Sequence, residues 1–449
     1  MSVGHEVRID VPDVPSSPSY LTGGGARQAT VRANPSSPSA PSLGQARHRP
    51  GDARSLGSPR RIGAATGAVA LCFAGLRFAV AARGNIASFI IVGANRATRT
   101  GLPQGVPVFR GSGYDGQFYY RLALDPLAWG SRAFGITLDT PYRIDRIGYP
   151  ALAWLVAAGR GPLLPVALVL VNVVALGVLG GLGAALARDA GRPPLWGLVF
   201  AGYWGLLWSL SRDLTEIVTA AAVVGGLLAL RRDRPLLAAL ALSVAVLSRE
   251  SALVLVGALC VARLAEWTAV SSRVPPHRRS FLAVSERTGP SSLDLAWIVP
   301  LLVFGAWEGA VDAKVGVLPL MASRTSNVGV PVLGITRGVT HYLGLLPSGA
   351  ALLWFGELTL LGIIGVMAAC ALRSTEARLH ERLAWIGYGV LTISLAPSIW
   401  LGDVGFRSLD DFFLFSWVVL ICSRRRLGIP GGLVALAWLV VCVELVLYI

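Results

Sequence analysis

Leu163–Ala187 reads LLPVALVLVNVVALGVLGGLGAALA, about 25 residues without a charged side chain. Roughly twenty apolar residues suffice for a helix to cross the hydrocarbon of a bilayer. Arg188 and Arg192 follow at its end. Comparable apolar runs lie near 62–82, 194–211, 213–230, 235–248, 251–265, 293–311, 351–373, 383–401, 409–422 and 428–449. The pattern predicts an all-α, polytopic integral membrane protein with about eleven transmembrane helices.

Composition agrees. Charged residues are 14% of the 449, against about 25% in an average soluble protein, and 54% are hydrophobic. A chain in water could not hide that much apolar surface. The formal charge is +15, carried by arginine with Lys314 as the single lysine. Orientation by the positive-inside rule accounts for this excess. The basic, groove-reading face of a nucleic-acid binder is absent from the sequence, so no nucleic-acid partner is expected. Cys72, Cys260, Cys370, Cys422 and Cys442 sit in apolar runs without paired spacing and read as small buried hydrophobes. The histidines are scattered, so no metal cluster is expected.

Residues 1–60, rich in Ser, Pro, Gly and Arg, are expected to form a disordered cytoplasmic tail. Residues 61–449 are expected to form one membrane-embedded domain. With the N-terminus inside, the arginines at 188 and 192, 231–234, 263–287, 373–382 and 424–426 all fall on the cytoplasmic side. The connections 83–162, 312–350 and 402–408 then face out, with the turns at Arg212 and Arg249. The expected location is the plasma (inner) membrane, with residues 83–146 forming a long first extracytoplasmic loop. Counts of ten or twelve spans stay open, because 147–159 could lie at the interface and 331–346 could be re-entrant.

The chemistry-bearing stretch is Gly113-Tyr-Asp-Gly-Gln-Phe-Tyr-Tyr-Arg-Leu-Ala-Leu-Asp125-Pro126. Gly111, Gly113 and Gly116 permit tight turns and close approach to the backbone. Gln117–Leu124 predicts a short amphipathic helix closed by Pro126. Asp115 would stand at its mouth, beside the aromatic rings of Tyr114, Tyr119 and Tyr120. Sugar binding and a plain interfacial aromatic belt with a capping Asp both suit this pattern.

YDGQFYYRLALDP, followed by DTPYRIDRIGYPALAWL at 139–155, resembles a bacterial family of cell-surface glycopolymer formation, itself similar to the GT-C glycosyltransferases. The likeness covers about forty residues strongly. It implies a GT-C-like fold, amphipathic helices on the membrane surface in the first outer loop, a catalytic Asp there and a polyprenyl-phosphate-linked sugar as donor substrate. Asp115 matches that catalytic position. Many members of the wider superfamily pair two acids in this loop. Here the next acid, Asp125, is ten residues on.

In such a reaction a positioned carboxylate takes the proton of the acceptor hydroxyl, worth roughly 10²–10⁴ in rate. Guanidinium groups suit the leaving phosphate because they stay charged and bind its oxygens bidentately. Arg143 and Arg146 are candidates, with interfacial snorkelling as the plain alternative. Asp213 and Glu216, at one turn between short spans, and Arg249 and Glu250, at another, would open on the same side as Asp115. Charges at such depth usually face a cavity or a partner. An Arg–Glu pair joining helices explains them equally. Arg407, in GDVGFRSLDD, is a weaker phosphate candidate. The substrate-binding set is thus Tyr114, Gln117, Tyr119, Tyr120, Asp125, Arg143, Arg146, Asp213, Glu216, Arg249, Glu250 and Arg407.

The expected function is glycosyl transfer, with inversion, from the lipid-linked donor to a cell-envelope glycopolymer or glycolipid on the extracytoplasmic side. No bound cofactor is implied. A transporter or flippase for a lipid-linked glycan or other anionic solute is the alternative, and a non-catalytic assembly subunit a third.

Overall fold

The computed structural model describes residues 57–98, 100–271, 294–322, 327–402 and 404–447. The chain divides into Met1–Asp52 and Ala53–Ile449, and only the second unit falls within the described residues. The tail expected over 1–60 lies outside them up to residue 56, as do the arginines between 272 and 293.

The described part is predominantly helical. In chain order the α-helices are α1 (Pro59–Ala79), α2 (Gly116–Leu124), α3 (Gly148–Val156), α4 (Leu164–Asp189), α5 (Leu198–Ala201), α6 (Trp204–Leu210), α7 (Glu216–Arg231) and α8 (Pro235–Ser248). They continue with α9 (Leu253–Ser271), α10 (Leu295–Val315), α11 (Leu333–Leu343), α12 (Gly349–Ala371), α13 (Leu379–Ile393), α14 (Pro397–Gly402), α15 (Asp410–Ile421) and α16 (Gly428–Leu447). Short 3₁₀ turns at Pro141–Asp145, Glu250–Ala252 and Val404–Leu409 matter for the site.

Among the described residues, six helices are long and apolar enough to cross a membrane: those at Pro59–Ala79, Gly161–Asp189, Glu250–Thr268, Leu295–Val315, Gly349–Ala371 and Gly428–Leu447. The remaining apolar runs are helical too, but shorter. α7 has 16 residues and α15 has 12, about 24 Å and 18 Å, against about 30 Å of hydrocarbon. The run at 194–211 is broken at Gly202 into α5 and α6. Leu236, Leu240, Leu352, Val366 and Leu436 are exposed on the outside of the bundle, a surface that lipid covers.

Small residues set the first packing. A Cβ on Gly63 of α1 would lie 2.8 Å from the Gly177 carbonyl of α4, and one on Gly177 would lie 3.1 Å from the Gly63 carbonyl. Gly67 and Gly181 continue this close seam, in which backbones approach as in other small-residue membrane contacts.

The first loop is folded. β1 (Val92–Gly93) pairs in parallel with β2 (Val108–Phe109), and β3 (Arg132–Ala133) pairs antiparallel with β4 (Ile136–Thr137). α2 forms where the amphipathic helix is expected. However, every residue from Gly116 to Ala123 is buried, so α2 lies inside the protein rather than on the membrane surface. Two glycines fix this loop to the bundle. A Cβ on Gly116 would come 2.2 Å from the Arg212 carbonyl, and one on Gly148 would come 2.5 Å from Ser248 Oγ. The start of α2 is thereby pressed on the α6–α7 turn, and the start of α3 on the end of α8.

Candidate functional site

Those two contacts bring Asp115 beside α7 and the 143–146 arginines beside the α8–α9 turn. Asp115 precedes α2 but makes no capping hydrogen bond, unlike the capping role weighed from sequence. Its side chain turns to two guanidinium groups. Arg143 Nη1 lies 3.0 Å from Oδ1 and Arg407 Nη2 lies 3.2 Å from Oδ2.

Each of these arginines holds a second carboxylate. Arg143 donates from Nε and Nη2 to the two oxygens of Asp139, both at 3.0 Å. Arg407 Nη1 is 2.6 Å from Glu216 Oε1, and its Nε donates to the Tyr114 hydroxyl at 3.0 Å. Asp115 is therefore the middle of a chain running Asp139, Arg143, Asp115, Arg407, Glu216.

A second knot lies alongside. Arg146 grips Glu250 through Nε at 3.0 Å and Nη2 at 2.8 Å. It also donates to the hydroxyls of Tyr119, at 3.0 Å, and Tyr142, at 2.9 Å, while Tyr142 donates to Glu250. Arg249 Nη1 is 2.5 Å from Asp410, and Ser251 donates to Asp411 at 2.6 Å.

Asp115, Arg143, Arg146, Glu216, Arg249, Glu250, Ser251 and Arg407 line one cavity of about 530 Å³, within the range of small-molecule sites. Val254, Leu320, Met321, Val328, Leu391, Leu395 and Ile399 supply its apolar lining. Glu216 opens α7, Glu250 opens the turn into α9, and Asp410 and Asp411 open α15. The positive ends of helix dipoles thus gather here, where they favour carboxylates and other anions.

Burial alone would raise the Asp115 pKa, but Arg143, Arg407 and Arg146 outweigh it and hold the carboxyl below its ordinary value. For Arg143, burial is likewise outweighed, chiefly by Asp115 and Asp139, so its guanidinium stays charged. Burial raises the Tyr142 phenol, helped by the negative Glu250. Asp145 behaves oppositely to Asp115. Burial, then a hydrogen-bonded contact with the Glu308 side chain and the charges of Glu308 and Glu250, push its carboxyl well up.

Seven of the expected residues therefore meet at the cavity: Asp115, Arg143, Arg146, Glu216, Arg249, Glu250 and Arg407. Tyr114 and Tyr119 stand behind the arginines that they contact. The other four of the expected residues lie outside the cavity lining. Gln117 staples the loop, accepting from Gly93 N at 3.2 Å and donating to the Ser112 carbonyl at 2.9 Å. Tyr120 packs in the apolar core beneath α2. Asp125 is exposed and accepts from Leu127 N at 2.9 Å, closing the turn after α2. Asp213 is fully buried outside the cavity lining, with its electrostatic partner at Arg77.

Sequence reasoning missed Asp139, Tyr142, Ser251, Asp410 and Asp411. One signal was present: Asp410 and Asp411 stand together at the head of an apolar run, where a charge needs a partner. Among the described residues, no group of three His, Cys, Asp or Glu side chains is placed to hold a metal ion. Comparison with family models, with curated proteins and with solved structures finds no match to this chain.

Proposed function

We propose that this chain is a membrane glycosyltransferase of GT-C type, moving a sugar from a polyprenyl-phosphate donor to a cell-envelope glycopolymer or glycolipid on the extracytoplasmic side. In this reading about eleven helical segments cross or enter the inner membrane, the N-terminus is cytoplasmic, and the cavity opens outward. The observation that carries it is the cavity itself: three carboxylates and four arginines share about 530 Å³ with seven apolar side chains. That combination suits an anionic headgroup with a hydrocarbon tail better than a free sugar or a simple ion.

The chemistry balances on these residues. The acceptor hydroxyl attacks the anomeric carbon, its oxygen forming the new glycosidic bond while the bond from that carbon to the phosphate oxygen breaks. Asp115 takes the hydroxyl proton. The lipid phosphate leaves with the electron pair and one more negative charge. Arg146 and Arg249, fixed by Glu250 and Asp410, offer guanidinium groups to that charge. With a single displacement the anomeric configuration inverts.

A transporter for a lipid-linked anion is the second reading. The break between α5 and α6 favours it, since discontinuous helices mark many transporter sites. One experiment separates them. Purified protein in vesicles receives a labelled polyprenyl-phosphate sugar and a membrane acceptor. A new glycosidic bond supports the transferase. Movement of label across the vesicle with no new bond overturns it in favour of transport.

A further inference from the structure

Asp115 presents a difficulty as a base. Both of its oxygens are already taken by guanidinium groups, and a carboxylate so held is a weak proton acceptor. The arrangement of the two arginines suggests what relieves this. Neither depends on Asp115 for its position: Arg143 is anchored bidentately on Asp139, and Arg407 on Glu216 and Tyr114. Each can give up its contact with Asp115 and remain paired and in place.

Resting on the transferase reading, we propose that Asp115 is masked in the empty site and that the donor's phosphate unmasks it. An anion entering the cavity competes for the Asp115-facing nitrogens of Arg143 and Arg407. Asp115 then loses two charge-assisted hydrogen bonds, and a negative group arrives beside the guanidinium groups that held it. Both changes favour its protonated form and strengthen it as a base. The donor therefore binds before proton transfer becomes possible, and an acceptor alone meets an inert carboxylate. During the reaction the same arginines follow the charge, as it vanishes from Asp115 and appears on the leaving phosphate.

Besides Arg143 and Arg407, the groups around Asp115 are Arg146 and Tyr119, with Glu216 and Asp139 behind the two arginines. The comparison arms, titrated over the same pH range, therefore decide whether a shift on adding ligand belongs to the ligand.

The test uses carbodiimide, which modifies protonated carboxyls, on full-length protein in detergent, with the Asp115 peptide quantified by mass spectrometry across pH. Polyprenyl monophosphate is the probe. Uncharged polyprenol and inorganic phosphate are the comparison arms, and native mass spectrometry scores binding. The expected result is that polyprenyl monophosphate raises the half-modification pH of Asp115 by at least about one unit, a tenfold change in proton affinity. Polyprenol leaves it unmoved. A shift with inorganic phosphate alone assigns the effect to the headgroup without the tail.

Bound polyprenyl monophosphate with an unchanged or lowered midpoint overturns the unmasking and leaves the transferase reading intact. Failure of the phosphate lipid to bind overturns both. Arg143→Ala is expected to raise the midpoint without any lipid and to shrink the lipid-induced shift. The wild-type titration decides the matter even if that variant folds poorly.

Discussion

α7 and α15 each have one end at the Asp115 cavity and one at the Arg231 cluster, and arginines crowd both ends for different reasons. At the cavity they face helix N-termini and meet carboxylates: Asp115, Glu216, Glu250 and Asp410. At the other end they face helix C-termini and meet carbonyls. Arg378 donates to the Leu230 and Arg231 carbonyls at 3.0 and 3.2 Å, closing α7. Arg192 donates to the carbonyls of Ser423 and Arg425, the latter at 2.9 Å, just past the end of α15. Carboxylates there pair as well: Asp189 with Arg232 at 3.1 Å, and Glu381, fully buried, with Arg231 at 2.7 Å, where it also caps α13. Arginines at C-termini satisfy groups that a helix must leave unpaired, and they act as clamps. Arginines at N-termini sit where the dipole already favours anions, and they are stable only with carboxylates or a bound anion beside them. The Arg231 end holds the bundle together, while the cavity end is the one at which the proposed reaction would have arginines exchange partners.

Asp115→Asn strains this contrast most. Labelled-sugar transfer should fall by about 10²–10⁴. Arg143 and Arg407 each keep a carboxylate, so thermal unfolding should move little. Full transfer by the variant would remove Asp115 from the chemistry.

Glu381→Gln should do the reverse. It leaves Arg231 buried without its carboxylate, a loss of about 3–5 kcal/mol on thermal or denaturant unfolding. Transfer per folded molecule should stay at the wild-type value. If activity fell as steeply as stability, the two ends would not be separable.

Gly116→Ala probes how the ends are kept distinct. Its Cβ would overlap the Arg212 carbonyl, so α2 must shift off the α6–α7 turn and carry Asp115 with it. The overpacking costs about 1–3 kcal/mol. A displacement near 1 Å costs about 10² in rate. Gly75→Ala, with open space around it on α1, is the control and should be silent in both assays.

These regions were unequally legible in the sequence. Apolar runs announce helices because the signal is local, and each expected run is helical. Length was harder to read, since turns bound α7 and α15 at 16 and 12 residues. Asp115, Arg143 and Arg146 could be grouped because one loop carries them. Glu216, Arg249 and Glu250 could be grouped because charge at a turn between apolar runs needs a reason. Tyr119 and Tyr120 could not be told apart, although a helix points them about 100° apart, because both faces of α2 are buried. Asp410 and Asp411 find their partners at Arg249 and Ser251, about 160 residues away, through packing that no local pattern encodes.

One carboxyl at the cavity end fits neither role, and it sharpens the comparison with the smallest effect. Asp145 lies between Arg143 and Arg146 in sequence yet forms an ion pair with neither, and its buried side chain is held in the neutral form. Its folded-state pKa is raised, so its contribution is fully present below the ordinary aspartate value near 3.9 and is lost as pH rises towards the folded value. Through that window the unfolded chain ionises at this position while the folded one does not, so stability falls with rising pH. Asp145→Asn removes that slope. The amide can donate to Glu308 as the protonated carboxyl does, so the exchange costs little by itself. At pH 7 the variant should therefore be at least as stable as the wild type. The melting temperature of the wild type should drop further between pH 5 and pH 8 than that of the variant. Parallel pH dependences would mean that Asp145 is ionised in the folded protein, and the cavity end would then hold one more uncompensated negative charge than the arginines can absorb.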